Sequence, residues 1–343
     1  MKTKWNKIFG FTLLIFISAM LMTGCGFSYV MNTTNRLNRE DAKEFIIEKT
    51  RVEPITDIDI HTSISEVELL EADDFYVDID YLYWEEEPEY SIINGKLLFD
   101  DSECFPNSYQ INFNLKNRIR IYLPKGSNLN LIRIEDASGD VNLSGFTAEE
   151  LDITVSYGDF TMDEATATKA DITLASGNSK ITDFQVGKFD YTNSYGAASF
   201  TDINTTPIRL SEGTESKYFN ATMSSGKVEI KGLITDSVDI TNSYGSVTMD
   251  RLRADDLKLN LSSGDCKLTR ADIITTDIRN SYGDVTLQLT GAPSSYSLDL
   301  DTSYGKIRVD DRHYEESVNL PGSGERTIRA ELSSGDVTIH FEE

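Results

Sequence analysis

Glycine returns along this chain on a nearly fixed beat. It stands at Gly139, Gly158, Gly177, Gly196, Gly226, Gly245, Gly264, Gly283, Gly305 and Gly335, with successive gaps of 19, 19, 19, 30, 19, 19, 19, 22 and 30 residues. Each gap of 30 is one 19-residue unit lengthened by 11, and the gap of 22 is one lengthened by three. A beat of this length marks a repeat architecture in which each unit stacks on its neighbour. Around each glycine, apolar and polar residues alternate. Leu151 and Ile153 stand seven and five before Gly158, and Phe160 and Met162 two and four after it. The same places hold Ala170, Ile172 and Ile181 around Gly177, Val238, Ile240, Val247 and Met249 around Gly245, and Leu257, Leu259, Cys266 and Leu268 around Gly264. A period of two on both sides predicts two short strands with one buried face, and the glycine marks the bend between them. The fold class that follows is all-β, a parallel β-solenoid with two-strand coils of about 19 residues. A single coil offers about six apolar side chains at ~1.5–3 kcal/mol each. Ordering its residues costs on the order of 1.5 kcal/mol apiece, so coils hold only when stacked. Ten coils at ~4.8 Å make a rod of about 48 Å.

A finer alternation accompanies the beat. The residue before the glycine runs Ser138, Tyr157, Ser176, Tyr195, Ser225, Tyr244, Ser263, Tyr282, Tyr304, Ser334. Two residues earlier, tyrosine coils carry Asn193, Asn242, Asn280 or Thr302, with Val155 as the exception. Serine coils carry Leu174, Met223, Leu261 and Leu332, with Asp136 as the exception. Small paired with large points to two positions sharing one filled interior. On that reading the tyrosines face inward, and Tyr→Ser leaves a cavity costing roughly 3–5 kcal/mol.

Four regions precede or contain the beat. Residues 1–25 form an address: Lys2, Lys4 and Lys7, an apolar run from Ile8 to Met22, then Thr23-Gly24-Cys25. The run is short of the ~20 residues of a spanning helix and suits an export signal. Residues 26–56 form a tether with a short capping helix, started by Asn38 with Glu40 and Asp41 in its first turn and Ala42, Phe45 and Ile46 on one face. Residues 57–128 form a β-rich lead-in. In it Ile58, Ile60, Ser65, Val67 and Leu69 make a degenerate first coil, and Asn94-Gly95 turns a hairpin. Residues 129–343 carry the solenoid repeats.

Charge and composition narrow function. A net charge of −25 disfavours nucleic acid, which needs clustered Lys and Arg. Cys25, Cys104 and Cys266 cannot make a disulfide scaffold, and His61, His313 and His340 leave little for zinc or catalysis. No catalytic, cofactor or metal residues are assigned. On the outward face of the first strand stand Asp152, Asp171, Asp190, Asn220, Asp239, Lys258, Asp277 and Asp299, beside Thr154, Thr173, Thr192, Thr222 and Thr241. Stacked, these make an acidic ladder next to a threonine ladder: a solvated polar face, or a seat for Ca²⁺. Asp140, Asp159, Asp265, Asp284 and Asp336 follow their glycines and suit turn bonding. The two 11-residue insertions, 204–213 and 313–324, enter at the same turn and would place two loops on one edge, ~24 Å apart.

Thr23-Gly24-Cys25 resembles the lipobox of bacterial lipoproteins, with Met22 where leucine is usual. The resemblance implies lipidation at Cys25, and two acyl chains anchor stably. Ser281-Tyr282-Gly283-Asp284 and Ser333-Ser334-Gly335-Asp336-Val337 resemble the bacterial putative-adhesin (Toastrack) family of unknown function. So do Ile58-Asp59-Ile60 with Ser65-Glu66-Val67-Glu68-Leu69, and Ile119-Arg120-Ile121-Tyr122-Leu123-Pro124-Lys125-Gly126. The resemblance covers about 55–343. It implies a surface-exposed β-solenoid near a membrane and supplies no catalytic residues. The expectation is a non-enzymatic, lipid-anchored module for adhesion, interaction or scaffolding on the extracytoplasmic face of the cell membrane. Its partners would be the membrane through the anchor, and an envelope protein or a glycan. The alternatives are a regulatory lipoprotein of an envelope-stress or membrane sensor, and third a glycan-active enzyme using Asp277 or Asp299.

Overall fold

A computed structural model describes residues 35–111, 113–205 and 217–342. Over these residues the chain is strand almost throughout, and the 19-residue beat is its pairing register. Leu151 lies beside Ala170, and Ala170 beside Phe189, in parallel ladders. Inward positions are closed to solvent: Ile153, Ile172, Ile240, Met249, Leu259 and Leu268 have no exposure. Where the chain is bulkiest, Phe184, Phe189, Phe200, Phe219 and Tyr191 fill the interior of three successive coils, with ring centroids 5.0–6.3 Å apart and mostly edge to face.

Two corners shape each coil. At the glycine corner the chain of one coil crosses directly over the carbonyl of the coil before it. A Cβ on Gly245 would sit 2.0 Å from the Gly226 carbonyl oxygen, and φ there is +136°. Close approach and backbone conformation together exclude any side chain. The second corner comes six residues after the glycine. There Gly145, Glu164, Asp183, Asp202, Gly232, Arg251 and Arg270 take positive φ. Beyond it a short third stretch adds two more inward residues per coil, such as Ala165 and Ala167 or Phe184 and Val186. Glycine and aspartate at this corner suit a turn, but Glu164, Arg251 and Arg270 carry no turn signature, so no common residue marks the corner in sequence.

Coil order in space departs from coil order in sequence at both ends. The Gly283 coil does not lie against the Gly305 coil. Strand Cys266–Tyr282 pairs with Arg326–Ser334, which in turn pairs with Tyr296–Thr302. The Gly335 coil is therefore inserted, and the Gly305 coil is outermost. The lead-in mirrors this. Asp57–Thr62 and Glu66–Ala72 form the degenerate coil, with Ser65 in the glycine place, between the Gly139 coil and an outer rung made of Lys96–Asp100 and Arg118–Pro124.

Both outer rungs are covered by antiparallel strands, which satisfies edges that would otherwise offer unpaired backbone to another chain. At one end Tyr76–Tyr83 and Glu89–Ile93 lie along the outer rung, and Lys43–Arg51 pairs with Tyr76–Tyr83. The capping helix expected near Asn38 is not formed. Residues Arg39–Asp41 make one 3-10 turn with no side-chain cap from Asn38, and Phe45 and Ile46 lie in a strand, where aromatic and β-branched residues fit a half-covered edge. Asn94 and Gly95 do turn a hairpin, both at positive φ. At the other end, Arg312–Tyr314 and Ser317–Leu320 fold back antiparallel on the Gly305 coil.

Candidate functional site

The most regular exposed feature of the rod is its glycine corner. Tyr157, Tyr195, Tyr244, Tyr282 and Tyr304 are 57–81% exposed there. The inward assignment made from sequence is overturned. Alternation of period two holds up to the third residue before the glycine and then breaks, because the chain is already turning. The interior position is that third residue: Asn193, Asn242, Asn280 and Thr302 are at most 3% exposed. Each donates to the glycine carbonyl of the neighbouring coil. The bonds run from Asn193 to Gly177 (3.0 Å), Asn242 to Gly226 (2.9 Å), Asn280 to Gly264 (2.9 Å) and Thr302 to Gly335 (2.8 Å). Asn193 Oδ1 also accepts the Tyr195 N–H at 3.0 Å, which fixes the corner with the tyrosine side chain turned out.

Spatial order makes the row regular. In the ladders Tyr157 lies beside Ser176, Ser176 beside Tyr195, Tyr195 beside Ser225, Ser225 beside Tyr244 and Tyr244 beside Ser263. Tyr282 lies beside Ser334, and the Gly335 N–H donates to the Tyr304 carbonyl. The irregular run Tyr282, Tyr304, Ser334 in sequence thus becomes a strict alternation along the rod. Exposed tyrosines recur every second rung, ~9.6 Å apart, over roughly 38 Å.

One residue past the glycine, carboxylates line the same edge. Asp140 accepts the backbone N–H of Asp159, Asp159 that of Asn178, Asp265 that of Asp284, Asp284 that of Asp336 and Asp336 that of Lys306, at 2.7–2.9 Å. These aspartates splice successive turns, a role the turn reading foresaw within one coil and the structure extends between coils. On the strand side of the row lies a shallow groove of about 360 Å³. Thr241, Asn260, Ser262, Ser281 and Ser333 line it. So do Arg279 and Glu331, which pair with each other at 3.7 Å.

The outward ladder is acidic over a shorter stretch than the sequence suggested. Its spatial order is Asp59, Arg133, Asp152, Asp171, Asp190, Asn220, Asp239, Lys258, Asp277, Arg329, Asp299. Arg133 reaches Asp152 at 3.1 Å and Lys258 reaches Asp239 at 3.0 Å. Asp190 accepts hydrogen bonds from Tyr218 and Asn220. Asp171 is held above the usual carboxylate range by burial and then by its neighbours Asp190 and Asp152. Among the described residues no three His, Cys, Asp or Glu converge to hold a metal ion.

Other sequence candidates separate. Cys25 and the rest of the signal lie outside the described residues, as does most of the first insertion. The second insertion is the far-end cap and not an edge loop, so the expected pair of loops on one edge is not formed. Arg279 and Arg329 both pair with Glu331, while Asp277 and Asp299 are separated by the Arg329 rung. Cys104 and Cys266 are free and buried, and burial pushes both thiols up to about 12, so neither is a nucleophile. Asp136 is 2% exposed, and burial foremost, then Asp101 and Asp140, carry its carboxyl up to about 7.

Among solved structures, a putative adhesin from Parabacteroides distasonis is similar at 10% identity, covering 88% of this chain and 97% of that one, with a TM-score of 0.40. One from Bacteroides fragilis is similar at 12% identity, covering 90% and 99%, with a TM-score of 0.36. A putative lipid binding protein from Parabacteroides distasonis is similar at 11% identity, covering 90% and 100%, with a TM-score of 0.27. No curated protein matches. The sequence profile of the Toastrack DUF4097 family matches residues 55–214 and again 191–340, so two consecutive matches to one family pattern span nearly the whole rod and overlap only over 191–214. With its parallel coils, glycine corner and closed ends, the chain belongs to the Toastrack DUF4097 family.

Proposed function

We propose that this protein is a lipid-anchored β-solenoid that works as an adhesion or interaction module at the bacterial cell envelope, without catalysis. The observation that carries this reading is the tyrosine row. It sets exposed aromatic side chains at equal intervals along a rod whose two ends are closed. Large exposed aromatics in a continuous line mark a contact surface and not a reaction centre. Among the described residues the thiols of Cys104 and Cys266 are buried, and the corner aspartates Asp140 and Asp265 are spent on backbone splicing. Thr23-Gly24-Cys25 supports attachment through a lipid at Cys25, with the rod facing away from the cytoplasm. Two measurements test the reading. Cys25→Ser should leave the membrane fraction and appear soluble outside the cytoplasm. Cells bearing the anchored protein should adhere to a surface or a neighbouring cell more than cells without it, and Cys25→Ser should abolish the gain. Unchanged membrane association of Cys25→Ser overturns the anchor, and equal adherence with and without the protein overturns the module.

A further inference from the structure

We infer that the tyrosine row and the groove beside it form one binding site for an extended, uncharged glycan strand with β-1,4-linked pyranose rings. The inference rests on the adhesion reading and names its ligand. The first argument is periodicity. Tyr157, Tyr195, Tyr244, Tyr282 and Tyr304 repeat every second rung, ~9.6 Å, in constant register. A ligand that profits from every ring must itself repeat at that interval. In an extended β-1,4-linked glycan each sugar is flipped relative to the last, so the same face returns once per disaccharide. That disaccharide is close to two rungs long. The apolar faces of pyranose rings stack on aromatic side chains, and tyrosine offers such a face at little entropic cost.

The second argument is the groove. Beside Tyr244 and Tyr282 it presents the hydroxyls of Thr241, Ser262, Ser281 and Ser333 and the amide of Asn260, groups that exchange hydrogen bonds with sugar hydroxyls. Its two charges, Arg279 and Glu331, neutralise each other at 3.7 Å. The third argument is charge. Asp140, Asp159, Asp265, Asp284 and Asp336 follow the same corner, against Lys227 and Lys306 at the same place, so the edge is acidic on balance and favours uncharged sugars over a polyanion.

The serine rungs supply the test. Serine already occupies this corner on alternate coils, so Tyr195→Ser/Tyr244→Ser/Tyr282→Ser should fold and melt as the parent does. Binding is measured with N-acetylated chito-oligosaccharides and cello-oligosaccharides of two to eight sugars, with an α-linked glucan and a polyuronate as controls. We expect affinity for at least one β-1,4 series to rise several-fold with each added disaccharide and the controls to bind at least tenfold more weakly. The triple serine variant should lose at least tenfold, and the matching Tyr→Phe variant should retain binding. The inference is overturned by no binding to either series, by affinity independent of length, or by full binding in a folded triple serine variant. It is also overturned if the row drives self-association that the serine variant abolishes. If cells bearing the protein still adhere while no oligosaccharide binds, the adhesion module stands and the glycan assignment falls.

Discussion

Asp136 occupies the place that Asn193, Asn242 and Asn280 fill in later coils, and its chemistry should follow theirs. Its Oδ1 accepts the Ser138 N–H at 2.9 Å, as Asn193 Oδ1 accepts that of Tyr195. Its Oδ2 is buried without a hydrogen-bond partner. A Cβ placed on Gly139 would lie 1.8 Å from the Ser65 carbonyl oxygen and 2.8 Å from Asp136 Oδ2. On Gly305 the matching distances are 1.9 Å to the Gly335 carbonyl oxygen and 2.8 Å to Thr302 Oγ1. Thr302 Oγ1 donates to that Gly335 oxygen, so Asp136 Oδ2 stands where a donor belongs. Only the protonated acid can donate there. Burial, with Asp101 and Asp140 adding, raises the carboxyl from the 3.8 of an ordinary aspartate to about 7. The folded state therefore holds a proton that the unfolded state releases. Stability falls as pH rises through the interval from about 4 to about 7, by on the order of 4 kcal/mol. Asp136→Asn carries a permanent donor and should remove this dependence. Urea unfolding of the parent and the variant should give similar stability near pH 4. Near pH 8 the variant should be the more stable by roughly 2–4 kcal/mol. A variant less stable than the parent at pH 8, or a gap that does not change with pH, refutes the reasoning.

Gly245→Ala places a methyl group 2.0 Å from the Gly226 oxygen, and we expect a loss of about 2–4 kcal/mol in a chemical melt. A neutral result would mean that the corner is not packed as described. Tyr244→Ser removes a side chain that is 67% exposed and should change stability by no more than about 0.5 kcal/mol. A multi-kcal loss would return the tyrosines to the interior. His61 sits between Glu135 (3.4 Å) and Asp59 (3.1 Å), and the Glu135 hydrogen bond foremost raises its pKa. Its charged form supports folding below the ordinary histidine pKa, and that support fades as pH rises through the raised value. His61→Ala should therefore lower the melting temperature at pH 5.5 more than at pH 9, and the reverse order would contradict the geometry. Millimolar Ca²⁺ should leave the melting temperature unchanged, because Arg133, Lys258 and Arg329 interrupt the acidic ladder. A clear calcium-dependent rise would mean that Asp152, Asp171 and Asp190 gather an ion.

Much of this architecture is written locally, and the parts that are not share a cause. The apolar residues seven and five before each glycine, and two and four after it, all face the interior, and Ser65 takes the glycine place in the first coil. Asn94-Gly95 turns the hairpin that its residues specify. These features depend on neighbours within one coil. The tyrosines were placed inside because large residues there pair with small ones two positions earlier, but Asn193 and its equivalents already fill the interior and fasten the turn. The signal lay in the same residues: a buried amide needs a buried acceptor, and the bare glycine carbonyl supplies one. The order of the last coils was hidden for another reason. Gly305 and Gly335 both fit the repeat, so either could follow Gly283, and the choice depends on which edge the strands Arg312–Tyr314 and Ser317–Leu320 cover.

The interlocked ends bear on how such a rod can lengthen in evolution. Copying a 19-residue unit between Gly158 and Gly264 adds a rung without disturbing its neighbours, since every coil there follows its predecessor. Copying one beyond Gly283 or before Gly139 would have to thread a stretch into a slot already closed by a strand that arrives from elsewhere in the chain. Growth by tandem duplication is thereby channelled to the middle of the rod. Relatives of different length should differ in the number of central units while keeping both termini nearly constant.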